Sequence, residues 1–278
     1  FIASPLSVWL MQHFATASDV GVTGTFVALG IISFVFMSIG AIIVRVPAPG
    51  WRPAGYVPAA QSKKLVTDQT VHVDQSLKTP QFYLLWWVLC LNVTAGIGVL
   101  GQASAMSQEM FPGRITPVAA AGFVGLLSLF NMAGRFFWAS TSDFIGRKNT
   151  YFVFFLLGIL LYAAVPTTAH MGNVVLFVLC YGIILSMYGG GFATIPAYLR
   201  DIFGVQYVGA IHGRLLTAWS AAGVFGPVLV NYIRDYQIHQ GVAKADAYTV
   251  TMYIMAGLLF IGFLCNAAIR AVHERHHL

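Results

Sequence analysis

Long stretches without a charged side chain alternate with short polar segments along this chain of 278 residues. An α-helix needs about 20 apolar residues to cross the hydrocarbon core of a bilayer. The longest charge-free stretch, residues 149–199, has room for two such crossings. The charge-free stretches are 20–44, 79–108, 115–134, 149–199, 215–233 and 247–269. The pattern therefore predicts an all-α membrane protein that crosses the bilayer several times.

The same pattern predicts seven full crossings after one partial crossing at about residues 1–14. The full crossings are expected near 23–44, 82–105, 117–139, 150–168, 174–198, 213–233 and 249–270. The chain begins with Phe1 inside an apolar run that no basic leader precedes, which is not the form of a signal peptide. We therefore expect the chain to be a piece of a longer protein.

Composition excludes several classes of protein. Only 9% of the residues are charged and 58% are hydrophobic, whereas about 25% of the residues of a soluble domain are charged. A soluble enzyme, a disordered chain and a disulfide scaffold are therefore disfavoured. The three cysteines lie inside apolar stretches, where we expect reduced core residues rather than disulfide bridges.

The basic residues are unevenly divided between alternate connections. Loop 45–81, segments 140–149 and 199–214 and the C-terminal tail carry most of the Lys and Arg residues. Because cytoplasmic loops carry an excess of Lys and Arg, we expect these connections and the C-terminus to face the cytoplasm, in a bacterial inner membrane. This topology explains the net charge of +6. It indicates a lipid bilayer, and no nucleic acid, as the partner of the chain.

One arginine lies inside a predicted crossing. Ser128, Asn131 and Arg135 are spaced so that they share one face of a helix. A charge at bilayer depth costs from about 3 to more than 10 kcal/mol, which favours a position in a watery cavity. The planar guanidinium matches a carboxylate in two parallel hydrogen bonds. The sequence therefore favours an anion site at Arg135, although Arg135 could instead reach the headgroups or pair with Asp143.

A short charged turn follows the same crossing. The segment from Gly134 to Lys148 contains Asp143-x-x-Gly146-Arg147-Lys148. It resembles the signature loop between the eighth and ninth helices of the major facilitator superfamily. The resemblance implies a conformational latch on the cytoplasmic side, formed by Gly134, Asp143, Gly146, Arg147 and Lys148. Simple positive-inside anchoring is the alternative, but it explains only the two basic residues.

Three glycines and a proline lie within the crossing 174–198. They are Gly189, Gly190, Gly191 and Pro196. These residue types weaken a helix at membrane depth, so they predict a hinge that interrupts the crossing. Close packing of two helices through small residues is an equally good explanation.

Several segments resemble the oxalate/formate antiporter branch of the superfamily, which is related to monocarboxylate transporters. The resemblance covers about residues 79–270. It rests on the segments Asn92–Gly98, Tyr188–Gly204, Gly209–Arg214 and Thr217–Trp219. It implies that Arg135 contacts the carboxylate of the substrate.

Two positions depart from the pattern of these relatives. Asn131 stands where monocarboxylate transporters have an Asp, which argues against carboxylate-linked proton coupling at this position. Trp219 stands where the oxalate transporter has a Lys, so the second cation of an arginine–lysine pair is absent. A single arginine favours a monocarboxylate over a dianion such as oxalate.

Other crossings supply further candidates for the lining of the pathway. We expect Asn92 and Gln102 to contribute, together with Tyr188 and Trp219 from later crossings. Hydrogen bonds that join helices are the alternative role for the polar ones. No sequence pattern indicates a cofactor or a metal ion.

The proline-rich and glycine-rich loop 45–81 resembles the middle loop of a twelve-helix transporter, which joins two six-helix bundles. The predicted organisation has four parts. These are the end of an N-terminal bundle (1–44, with part of helix five and helix six), a cytoplasmic linker (45–81), a C-terminal six-helix bundle (82–270) and a cytoplasmic tail (271–278). We expect the halves of the second bundle to be related by an inverted repeat and the missing part of the first bundle to complete the site.

Together these features predict a secondary transporter of small organic anions that works by alternating access and is not an enzyme. A seven-helix receptor is the alternative in another class, although residues 249–269 lack the Lys that retinal would need. A structural membrane protein without transport activity is a further alternative.

Overall fold

The computed structural model describes residues 3–16, 19–45, 48, 51 and 65–278. In this part of the chain the regular elements are helices, and the only β-pairing is an isolated bridge between Val71 and His277. The chain divides into two compact units, Phe1–Gln61 and Ser62–Leu278. Most of the first half of the predicted linker, including residues 52–64, lies outside the described residues.

The first unit contains α1 (Ala3–Phe14) and α2 (Val22–Ile43). The two helices pack against each other. Gly21 makes the turn between them with φ 79°, and a Cβ there would lie 2.4 Å from the carbonyl oxygen of Met11, so only glycine fits. Most side chains of α2 are exposed apolar groups, as expected for a helix in lipid.

The second unit contains the remaining helices. They are α3 (Val73–Ser76), α4 (Pro80–Met110), α5 (Pro117–Ile145), α6 (Arg147–His170), α7 (Val174–Phe203), α8 (Val208–Leu215), α9 (Thr217–His239), α10 (Thr249–Ala268) and a 3₁₀ turn at Glu274–His276. In the described part of the chain, seven helical segments are long and apolar enough to cross a membrane, with α8 and α9 as one segment. The predicted all-α membrane fold is confirmed.

Some helices end later than the hydropathy pattern predicts. α5 and α7 continue five or six residues beyond their predicted ends, through charged residues, and stop at Gly146 and Gly204. These glycines have φ of 90° and 83°, in the region that favours glycine. Hydropathy marks where the lipid ends, whereas the positive φ marks where the helix ends, and the two places differ.

The helices of the second unit pair in a symmetrical way. The most extensive contacts join α5 to α7, α4 to α9 and α6 to α10, followed by α4 to α10 and α6 to α7. The list of pairs stays the same when α4 is exchanged with α7, α5 with α9 and α6 with α10. This is the packing that the expected inverted repeat would produce.

Buried tyrosines of α6 form hydrogen bonds with two other helices. Tyr151 on α6 donates to the carbonyl of Gly191 on α7 at 2.7 Å, and Tyr162 donates to Ala95 on α4 at 2.7 Å. Both side chains are fully buried. Because no water competes in a bilayer, such bonds join helices, each by about 0.6–2 kcal/mol.

Residues 65–79 and the tail cover one end of the bundle. The amide of Thr67 donates to the carbonyl of Asp201 at 2.9 Å, and Leu278 donates to Thr70 at 2.8 Å. Arg214 bonds to Asp74 at 2.8 Å, and this hydrogen bond holds the pKa of the Asp74 carboxyl below its usual value. These backbone contacts leave no hydropathy signal, so the sequence predicted only a cytoplasmic linker and a cytoplasmic tail there.

Candidate functional site

Arg135 is an exposed cation on a membrane-spanning helix of the second unit. Its Nε–H donates to Oδ1 of Asn131 at 3.4 Å, one helical turn earlier. Among the described residues, no carboxylate lies within salt-bridge distance of Arg135, and Asp143 pairs with Arg147 instead. The positive charge of Arg135 is therefore not neutralised by an acidic neighbour in this part of the chain.

A cluster of three aromatic side chains from two other helices contacts this arginine through Phe192. They are Tyr188 and Phe192 on α7 and Trp219 on α9, here named the aromatic cluster. The guanidinium carbon of Arg135 lies 5.1 Å from the centre of the Phe192 ring. Phe192 meets Trp219 at 4.9 Å and Trp219 meets Tyr188 at 5.5 Å between ring centres. The site thus combines one cation with an apolar wall.

Phe192 was not among the predicted site residues. It lies four residues after Tyr188, on the same face of α7. That spacing is the signal that could have found it.

Glycines let α5 and α7 approach closely at the site. A Cβ at Gly134 would lie 2.1 Å from the carbonyl oxygen of Ser186, and one at Gly189 would lie 2.1 Å from that of Asn131. A Cβ at Gly190 would lie 2.6 Å from the Trp138 side chain. These contacts fix Asn131 and Arg135 against α7.

The helix is not interrupted at the predicted hinge. α7 is a continuous helix from Val174 to Phe203, with Pro196 inside it, and Gly189, Gly190 and Gly191 are in close contact with other helices. Close packing therefore accounts for the glycines in this structure, because small residues let backbones approach. A hinge function at these positions stays a prediction.

The other predicted lining residues do not all meet at Arg135. Ser128 is exposed on the same helix as Arg135 and donates to the carbonyl of Val124 at 3.1 Å. Gln102 on α4 donates to Asn231 on α9 at 2.5 Å, which is a bond that joins two helices. Asn92 is buried against Gly191, away from solvent. Tyr188 and Trp219 are the two that belong to the aromatic cluster, which reaches Arg135 through Phe192.

The predicted latch residues connect three helix ends. Arg147 forms an ion pair with Asp143, donates to Ser142 Oγ at 2.5 Å and lies 4.0 Å from Asp201 at the end of α7. Lys148 Nζ donates to the carbonyl of Ile269, just after α10, at 2.6 Å. Gly146 has φ 90°, which explains why glycine stands there. Gly134 is not part of this loop but lies in the α5–α7 contact.

A second charged cluster at the opposite end of the bundle was missed from the sequence. Glu109 at the end of α4 forms an ion pair with Arg234 on α9 and accepts a hydrogen bond from Tyr248 at 2.9 Å. Arg234 also bonds to Asp235 at 2.9 Å. The opposite charges of Glu109 and Arg234, at crossing ends on the same side, were the available signal.

A bundle of membrane-spanning helices with an unneutralised cation beside an aromatic wall is an arrangement expected of membrane transport proteins. The model of the Major Facilitator Superfamily matches residues 1–227 of the chain. The chain belongs to this superfamily, whose members are transporters and not enzymes. This confirms the predicted family.

Two curated relatives show the extent of the sequence similarity. The oxalate:formate antiporter of Oxalobacter formigenes is 31% identical over 206 residues, which are 74% of this chain and 46% of that protein. The apicoplast pyruvate carrier 1 of Toxoplasma gondii is 24% identical over 280 residues, covering 90% of this chain and 48% of the carrier. The chain therefore spans about half the length of these curated relatives.

The fold is similar to that of a solved transporter. The crystal structure of a bacterial homologue of the human lysosomal transporter Spinster, in an inward-facing and unoccupied conformation, has a TM-score of 0.59 at 16% identity. The similarity covers 96% of this chain and 64% of that structure. At this identity it supports the fold of the superfamily.

Proposed function

We propose that the protein transports small organic monocarboxylate anions across a membrane by alternating access and that Arg135 binds the carboxylate. Membership of the superfamily supports transport as the activity. One relative is named an oxalate:formate antiporter and another a pyruvate carrier, which supports small organic anions as the cargo.

The observation that carries this proposal is the exposure of the Arg135 guanidinium and its neutral hydrogen-bond partner. It is exposed on a membrane-spanning helix, and its hydrogen-bond partner among the described residues is the neutral amide of Asn131. A charge at membrane depth is costly unless water or a counter-ion stabilises it. Two parallel hydrogen bonds from the guanidinium to a carboxylate would supply that counter-ion.

The surroundings of Arg135 favour a substrate with one negative charge. Phe192 and Trp219 offer ring surfaces rather than a second cation. An apolar wall suits the body of a monocarboxylate, whereas a second carboxylate would be desolvated there without a partner. We propose that the missing part of the N-terminal bundle forms the opposite wall and that lipid surrounds the protein.

The electrostatics also favour exchange of anions over one-way transport. With Asn131 as its partner, the empty site keeps a full positive charge, whereas the loaded site is neutral. Moving an uncompensated charge through the occluded state costs more than moving a neutral complex. The loaded carrier therefore reorients more readily than the empty one.

Uptake of formate, pyruvate and lactate into proteoliposomes by the full-length protein tests the proposal. We expect Arg135→Ala to reduce uptake roughly 100-fold, because charged hydrogen bonds contribute about 1.5–3 kcal/mol. Arg270→Ala is the matched control, since Arg270 is an exposed arginine outside the helices. Uptake by a folded Arg135→Ala protein at the rate of the control would contradict the proposal.

A further inference from the structure

A buried amide in the middle of α4 lacks a hydrogen-bond partner. Asn92 is 6% exposed, and its Nδ2 has no partner among the described residues. The side chain packs against α7, where a Cβ at Gly191 would lie 2.5 Å from Nδ2. Buried polar groups in native proteins are nearly always bonded, and an unbonded one costs about 1–3 kcal/mol. An acceptor for this amide is therefore expected.

A small cavity adjoins the amide. It is lined by Asn92, Tyr162, Tyr188 and apolar or small residues of α4, α6, α7 and α10. About 10 Å³ is accessible to the centre of a water-sized molecule. This is near the smallest space that holds one water and is too small for a carboxylate of three heavy atoms.

A second polar group of the lining completes the site. The hydroxyl of Tyr162 donates to the carbonyl of Ala95 at 2.7 Å, so its oxygen keeps lone pairs that accept hydrogen bonds. Water can accept from an amide and donate to a hydroxyl oxygen at the same time. None of the residues that line this cavity is acidic, so a cation has no charged ligand there.

We infer that this cavity binds one structural water, which accepts a hydrogen bond from Nδ2 of Asn92 and donates one to the Tyr162 hydroxyl. The water joins α4 to α6 through side chains and satisfies the amide that the protein leaves unbonded. Tyr188 lines the cavity and also belongs to the aromatic cluster, so the water lies next to a residue of the anion site. Asn92 is then a residue that joins helices rather than a contact for the transported anion.

An electron cryo-microscopy map of the full-length protein, at a resolution that shows ordered waters, tests this inference. We expect density for one water at about 2.7–3.2 Å from both Nδ2 of Asn92 and the Tyr162 oxygen. An empty cavity, or an Asn92 side chain turned onto a protein acceptor, would overturn it.

Variants separate this site from the anion site. Asn92→Val removes the donor at similar size, and the water density should disappear. Thr94→Val is the matched control, because its hydroxyl already donates to the carbonyl of Cys90 at 2.7 Å, and the density should remain. Water density that persists in Asn92→Val would also overturn the inference. If that variant does not fold, the wild-type map alone decides whether the water is present.

Arg135→Ala distinguishes the two proposals. It should keep the water while it loses anion transport. Failure of the transport proposal alone would therefore leave the water density unchanged.

Discussion

At the scale of the residue, the proposed anion site depends on the neutral partner of Arg135. Periodicity placed Ser128, Asn131 and Arg135 on one face from the sequence alone, and the structure has the Asn131–Arg135 hydrogen bond at 3.4 Å. Phe192 was not predicted as part of the site, because its proximity to Arg135 depends on how α5 packs against α7. Spacing along one helix is readable from sequence, whereas contacts across helices need the packing.

Asn131→Asp tests the role of the neutral amide. A carboxylate there would pair with Arg135, so we expect uptake at neutral pH to fall roughly tenfold or more. Protonation removes the added charge, so uptake should rise again as the pH falls through the pKa of the new carboxyl. Wild-type uptake should instead require an anion inside the vesicles at every pH.

The control for this substitution is Asn173→Asp, which makes the same chemical change at the start of α7. Asn173 accepts from the amide of Leu176 at 3.0 Å, and Asp serves that role equally well. Transport that responds to pH in the same way in both variants, or in neither, would count against a special role for Asn131.

At the scale of the element, the contact between α5 and α7 sets the geometry of the site. The positions of the crossings could be predicted because a bilayer imposes a length on each apolar helix. The glycine run was also recognised, but its role was not decided. A glycine at a helix crossing and a glycine at a hinge look alike in sequence, since both lack a side chain.

Gly189→Ala tests that contact. The added Cβ would lie 2.1 Å from the carbonyl oxygen of Asn131, so α5 and α7 would have to move apart. Overpacking of this kind costs about 1–3 kcal/mol, and we expect a lower melting temperature together with reduced uptake. Gly257→Ala is the control, because nothing lies within 4 Å of its added Cβ. Equal melting temperatures of the two variants would show that the contact is looser than described.

At the scale of the whole second unit, polar contacts join α4 to α9 along their length. Trp86 donates to Thr217 at 2.9 Å near one end and Gln102 to Asn231 in between. Glu109 and Arg234 form the ion pair at the other end. The sequence could not reveal these pairs, since the partners lie more than 120 positions apart. It did indicate the overall bundle, because the six apolar segments have short connections.

Glu109→Gln tests this ion pair. The two side chains are 19% and 21% exposed, so the substitution leaves a largely buried arginine without its full counter-charge. We expect a loss of about 1–3 kcal/mol in stability, seen as a lower melting temperature in detergent. Asp235→Asn is the control, because Asp235 is 62% exposed and its bond to Arg234 should contribute less than about 1 kcal/mol. A larger effect of the control would contradict this assignment.

The most direct test of anion binding by Arg135 is a structure of the full-length protein with a bound monocarboxylate such as pyruvate. We expect both carboxylate oxygens to lie about 2.7–2.9 Å from guanidinium nitrogens of Arg135. The body of the anion should then lie against Phe192 and Trp219. An anion bound elsewhere, with the Arg135 guanidinium directed into the acyl chains of the lipid, would contradict it.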